Sequence, residues 1–144
     1  MTYAIDSNVL LDIFLNDKDY ATSAIDTLYA ASEKGDLIAC DIVWAETSAA
    51  FPDKRIFQAK MSDCGISFSP MSESAALKAG ELWKGARTNA SRNKSKGRHQ
   101  VIPDFLIGAH ALETADALIT RDRGFLRDYF SDLTVIDPSK DDRP

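Results

Sequence analysis

Residues 3–14, YAIDSNVLLDIF, decide the reading of the fold. Residues 3–5 are a short, partly β-branched apolar run that stops at Asp6. Val9, Leu10, Ile13 and Phe14 then recur at helical spacing over residues 8–15. The chain therefore opens with a strand that ends on an acid and passes at once into a helix.

The same alternation continues. Residues 21–34 predict a second helix, with Ile25, Leu28 and Tyr29 as its apolar positions and Gly35 just past its end, where a stop glycine belongs. Residues 37–40 predict a second strand, and Asp41 is an N-cap candidate for a helix carrying Trp44, Ala45 and Glu46. Pro52 ends that helix, and residues 53–64 form another. Residues 66–68 predict a third strand, closed by Pro70; Ser72 caps a helix to residue 87 that bears Leu77 and Trp83. Residues 88–97, rich in Ser, Asn, Lys and Gly, predict a mobile loop. Pro103 suits the first turn of a helix running to residue 114. A strand at 117–120, a short helix at 123–130 and a strand at 133–136 follow. Short strands alternating with helices define an α/β domain with a central, mainly parallel five-stranded sheet flanked by helices. One domain is expected over residues 1–137, with a polar, frayed tail at 138–144.

Length and composition agree. The chain has 144 residues, 44% of them hydrophobic, which supports one packed domain. No apolar run approaches the roughly 20 residues of a membrane span. MTYAID has no basic n-region and reaches an acid at position 6, so no secretory signal is expected. Cys40 and Cys64 have no metal-binding spacing; Cys40, inside LIAC, reads as a buried thiol, and a reducing cytoplasm is the expected location. The net charge of −5 argues against indiscriminate binding to nucleic acid. The charge is uneven, however. Lys84, Arg87, Arg92, Lys94, Lys96 and Arg98 lie between Leu82 and Pro103 with no acid among them. Such a segment either follows a phosphate backbone or is simply a solvated loop, and composition does not separate the two.

Four acids stand at comparable places. Asp6 follows strand one directly, and Asp122, in ALITRDRGF, follows strand four by two residues. Glu46, in DIVWAETSAAF, lies in the helix after strand two, and Asp104, in VIPDFLIGAHAL, lies in the first turn of its helix. Open α/β sheets gather functional groups outside the carboxyl ends of their strands. For any one acid the plainer explanation is local: a carboxylate in a helix's first turn gains about 0.3–1 kcal/mol from the dipole. Four together are another matter, because converging carboxylates repel and raise one another's pKa until a cation neutralises them. A hard, oxygen-preferring ion, Mg²⁺ or Mn²⁺, suits such a cluster, and the chain has no His or Cys set for zinc. Ser7, Asn8 and Thr120 are placed to orient the acids by hydrogen bonds. Asp12 is expected to face away from Asp6, in a supporting or, by preference, a solvated position. His110 reads as a packed side chain, His99 as part of the basic segment, and Trp44, Trp83 and Phe125 as core aromatics. No glycine-rich phosphate loop, GxSxG elbow or Cys/His pair competes.

With these motifs in hand, the chain resembles the PIN-domain nucleases, and within them the single-domain toxins of VapBC-type toxin–antitoxin modules. IDSNVLLDIF, WAE, PDFLIGAHAL and LITRDRGF carry the resemblance, in order and over almost the whole chain. The resemblance implies a PIN-like fold and an acidic quartet of Asp6, Glu46, Asp104 and Asp122. It further implies Mg²⁺ or Mn²⁺ dependence and endonucleolytic cleavage of RNA that inhibits translation. It also implies a homodimer held in check by a small VapB-like antitoxin. In that scheme Asp6 and Asp122 bind the ion, Asp104 binds directly or through water, and Glu46 is a ligand or a proton acceptor. Arg92, Lys94, Lys96 and Arg98 are the candidate RNA contacts. A PIN nuclease of RNA maturation or structure-specific DNA cleavage is the alternative. A signalling receiver is a distant second, since it requires paired acids after strand one, and Ser7 follows Asp6 here.

Overall fold

The structure is a computed structural model that describes residues 1–92, 102–140 and 144, with only the backbone of residues 89–92. Its elements run β1 (Thr2–Ile5), α1 (Ser7–Phe14), α2 (Ala21–Ser32), β2 (Asp36–Cys40), α3 (Asp41–Ser48) and α4 (Lys54–Asp63). They continue with β3 (Ile66–Ser69), α5 (Glu73–Arg92), α6 (Ile102–Thr114), β4 (Ala117–Ile119), α7 (Arg123–Tyr129) and β5 (Val135–Ile136). The five strands form one sheet in the order β3-β2-β1-β4-β5, and every pairing is parallel.

That order places the topological switch point between β1 and β4. From β1 the chain first builds outward to β2 and β3, then returns to build β4 and β5 on the other side. Loops leaving β1 and β4 diverge there and open a crevice at the carboxyl edge of the sheet. Tyr3, Ala4 and Ile5 pair with Ala117, Leu118 and Ile119 and are all buried, as a strand covered on both faces must be. Phe105 of α6 and Phe125 of α7 meet edge to face at 5.0 Å, which fixes the starts of these two helices against each other. Gly108 lets α6 approach Phe130 closely: a Cβ there would lie 2.5 Å from the Phe130 ring.

Several boundaries differ from the sequence reading. α5 continues through residues 88–92, which the composition assigned to a loop; Ala86 is buried, Thr88 donates to the Lys84 carbonyl at 3.1 Å, and the Arg87 guanidinium lies 4.2 Å over the Trp83 ring. Asp41 is not the N-cap of α3. Cys40 is, and Asp41 stands in the first turn, its Oδ1 buried with no hydrogen-bond partner among the described residues. The tail is tied down at its start: Asp137 is buried and accepts from both the amide and the hydroxyl of Ser139. In α2 only Leu28 of the three apolar positions is buried; Ile25 and Tyr29 are 51% and 68% exposed. Leu77 of α5 is also exposed, while Trp44 and Trp83 only border the core that Phe125 enters. Among the described residues, no helix is long and apolar enough to cross a membrane.

Candidate active site at the carboxyl edge of the sheet

Asp6 is the hinge of the site. Its backbone amide donates to Ile119 O at 3.0 Å, extending the β1–β4 pairing by one bond. Its side chain caps α1, with Oδ1 accepting from the Ser7 amide at 2.7 Å. The other oxygen, Oδ2, accepts from Thr120 Oγ1 at 2.7 Å and from Asn8 Nδ2 at 3.2 Å. Asn8 Nδ2 also reaches Thr120 Oγ1 at 3.2 Å, and Thr120 Oγ1 accepts from the Asp122 amide at 3.0 Å. The segment that carries Asp122 is thereby tied to Asp6 through a fully buried hydroxyl.

The remaining acids join through different links. Glu46, on an exposed face of α3, accepts from Ser7 Oγ at 2.9 Å through Oε1. Asp104, half-buried in the first turn of α6, acts on Asp6 through its charge, as Glu46 does. Burial first, and then repulsion from Asp104 and Glu46, push the Asp6 carboxyl up to about 6, although the Thr120 and Ser7 hydrogen bonds pull it down. Asp6, Ser7, Asn8, Glu46 and Thr120 are thus joined by hydrogen bonds, Asp122 by its backbone and Asp104 by its field. Among the described residues no three acid, His or Cys side chains already stand at coordinating distance. The donors are nonetheless all carboxylate oxygens around a destabilised negative charge. That chemistry fits a hard divalent ion.

His110 stands apart from this network. It is buried, with Nε2 2.9 Å from Ser69 Oγ, and burial holds its pKa below the usual histidine value. It is a packed side chain, as the small-residue helix GAHAL suggests. Lys94, Lys96 and Arg98 lie outside the described residues, as does the Arg92 side chain.

Arg121 and Asp12 form the feature that sequence reading missed. Asp12 is neither solvated nor idle. It is buried and receives Arg121 Nε at 2.6 Å and Nη2 at 3.0 Å, while the guanidinium lies 4.1 Å over the Tyr20 ring. The pairing joins positions 109 residues apart, and no local pattern announces it. The one hint was an acid on the otherwise apolar run VLLDIF.

The family follows from the sequence taken with this edge of the sheet. The PIN-domain model matches residues 3–130, nearly the whole chain. The chain belongs to the PIN-domain family. No curated protein matches it by sequence. Among solved structures it is similar to the Rickettsia felis VapBC2 complex bound to a promoter DNA fragment, at 22% identity and a TM-score of 0.67, covering 95% of this chain and 98% of that one. It is also similar to VapBC-1 of nontypeable Haemophilus influenzae, at 19% identity and a TM-score of 0.64, covering 97% and 100%. FitAcB from Neisseria gonorrhoeae matches at 19% identity and a TM-score of 0.61, covering 94% and 97%. At these identities the PIN fold is what is shared.

The raised pKa of Asp6 fixes a sign. The folded protein holds this proton to about pH 6, whereas the unfolded chain releases it near 3.8. Between those values the folded state binds more protons, so this group's contribution to stability falls as pH rises across that window. Asp6→Asn imitates the protonated acid. In EDTA at about pH 7.5 it should therefore melt above the parent, with a flatter slope between about pH 4 and 6. Differential scanning fluorimetry reads both. A parent that is as stable as the variant at the higher pH would show that Asp6 carries no such penalty.

Proposed function

We propose that the chain is a Mg²⁺- or Mn²⁺-dependent endoribonuclease, the toxin of a VapBC-type module, that hydrolyses RNA phosphodiester bonds. One observation carries the reading: at the switch point Asp6 is oriented by the Ser7 amide, Asn8 and Thr120, with Glu46 bonded to Ser7 and the Asp122 amide to Thr120, while burial, Asp104 and Glu46 disfavour its charge. PIN domains are typically metal-dependent nucleases, and the fold likeness to the VapBC and FitAcB structures supports the toxin role within that class.

Asp6, Asp104 and Asp122 would hold the ion, with Glu46 either completing the set or accepting a proton. A bound divalent ion supplies charge neutralisation and polarises a phosphoryl oxygen. Ser7, Asn8 and Thr120 keep the carboxylates oriented by the bonds already described. Glu46 is exposed and, among the described residues, is held through Oε1 by Ser7, which leaves it able to join the ligand set or to accept a proton. Purified protein freed of any partner should cut RNA with Mn²⁺ or Mg²⁺ and stop in EDTA. Asp6→Asn and Asp122→Asn should each lose more than about 100-fold, beyond the 10–100-fold range of supporting groups. Retained cleavage in the folded Asp6→Asn protein would remove Asp6 from the catalytic set.

The basic segment is read as the RNA backbone contact, with Arg92, Lys94, Lys96 and Arg98 as its cations. Each single-strand phosphate contact adds about 0.7 to the slope of log affinity on log salt. Replacing Lys94, Lys96 and Arg98 by Ala should therefore lower that slope by about 2. An unchanged slope, measured by fluorescence anisotropy on single-stranded RNA, would return the segment to a solvated surface.

The partner is read as a small antitoxin, with the chain itself a homodimer that enters a hetero-oligomer. Ile13, Ile25, Leu28, Tyr29 and Cys64, together with Ser32 and Asp63, line a groove between α1, α2 and the end of α4, and Ile25 and Tyr29 are largely exposed. Exposed large apolar side chains grouped beside a groove suit a protein-binding face. Co-expression with a VapB-like antitoxin should give a complex by light scattering, and Ile25→Asp with Tyr29→Glu should abolish it while RNA cleavage persists. Full binding by that double variant would place the partner elsewhere.

A further inference from the structure

Arg121 sits between two residues of the site, Thr120 and Asp122, yet its side chain leaves the site altogether. Its amide donates to Asn8 Oδ1 at 3.3 Å, close to the start of α1. Its guanidinium meets Asp12 near the end of the same helix, through two hydrogen bonds of 2.6 and 3.0 Å. The turn from β4 to α7 is therefore fastened to α1 at two points along the helix. α1 also carries Asp6 as its N-cap. A helix is stiff on this length scale, so it serves as a common ruler for Asp6 at one end and for the Asp122 turn along its side.

The fastening is unlike an ordinary surface ion pair, which contributes little. The Asp12 side chain is 8% exposed and that of Arg121 29%. The contact is a two-pronged guanidinium fork, which fixes angle as well as distance. Tyr20 covers the guanidinium face at 4.1 Å and removes a further freedom. With its fork on Asp12 and a face on Tyr20, this guanidinium is committed within the protein.

We infer that Asp12 and Arg121 form a positioning clamp that sets where the Asp122 carboxylate stands relative to Asp6. Neither residue touches the reacting atoms; Arg121 acts through the turn it holds, and Asp12 acts through Arg121. The inference rests on the metal-dependent nuclease reading, since it concerns how accurately the acids of that site are presented.

The test compares the parent with Arg121→Met, Asp12→Asn, Arg121→Lys and the Asp12→Asn/Arg121→Met pair. Mn²⁺ affinity is read by calorimetry without RNA, and kcat and KM by cleavage of a fluorogenic RNA. Arg121→Met should weaken Mn²⁺ binding and lower kcat by about 10–100-fold, the range seen when groups supporting a metal ligand are removed. KM for RNA should stay within about twofold, because no ground-state contact is lost. Asp12→Asn should act in the same direction, the double variant should lose no more than Arg121→Met, and Arg121→Lys should recover part of the loss. A folded Arg121→Met protein with unchanged Mn²⁺ affinity and kcat overturns the clamp and leaves the nuclease reading standing. A raised KM at constant kcat overturns it too, since Arg121 would then be an RNA contact. If Arg121→Met does not fold, Asp12→Asn carries the same expectations; failure of both to fold makes the pair a scaffold element and ends the proposal. A parent that neither binds Mn²⁺ nor cuts RNA removes the nuclease reading itself.

Discussion

The structure turns on one carboxylate held at the end of its central strand. Asp6 ends β1, extends the pairing with β4 through its amide, caps α1 and gathers Thr120 and Asn8 around its side chain. It cannot be moved without moving the sheet, because β1 has a strand on either side. Nor is its charge comfortable: burial and two neighbouring acids outweigh the hydrogen bonds that favour ionisation. A folded chain tolerates such a group only if the rest of the domain over-determines its position. The buried hydroxyl of Thr120 and the buried runs of β1 and β4 do so here.

Much of this was legible because it is local. The acid after an apolar run, the helical spacing of Val9, Leu10, Ile13 and Phe14, the cap at Ser72 and the stop at Gly35 are all encoded within a turn or two. Ser72 Oγ does accept from the Ala75 amide at 3.0 Å. The alternation of such units predicts a sheet, and the switch point then predicts which strand ends meet. Placing Asp6 beside Thr120 and the Asp122 turn requires no more than that. Glu46 was harder, since it enters through α3 and is hydrogen-bonded to the site by way of Ser7.

What stayed hidden is either remote in sequence or ambiguous in face. Asp12 and Arg121 each look like surface residues within their own segments; only the fold brings them together. Helical spacing marks Ile25, Leu28 and Tyr29 as apolar but does not say which point inward, and the structure buries Leu28 alone. Composition misjudged residues 88–92, because Ser and Asn are poor helix formers only in isolation. Packing of α5 along α6, with Ala86 in the core, extends the helix past that preference.

α1 treats its two acids in opposite ways, and the contrast carries the functional argument furthest. Asp12, buried, receives a guanidinium through two short bonds. Among the described residues, the donors that Asp6 receives are neutral: an amide, a carboxamide and a hydroxyl. A fold selected for stability alone could have treated Asp6 as it treats Asp12, since a cation opposite a buried carboxylate lowers its pKa and removes its penalty. Neutral donors instead orient the oxygens and leave the charge in place. Repulsion from Asp104 and Glu46 deepens the deficit where an internal cation would have relieved it. Orientation without neutralisation is what a site needs if its positive charge is to come from outside the chain. Arg121, next to Asp122 in sequence, is meanwhile drawn onto Asp12 and Tyr20 and away from Asp6.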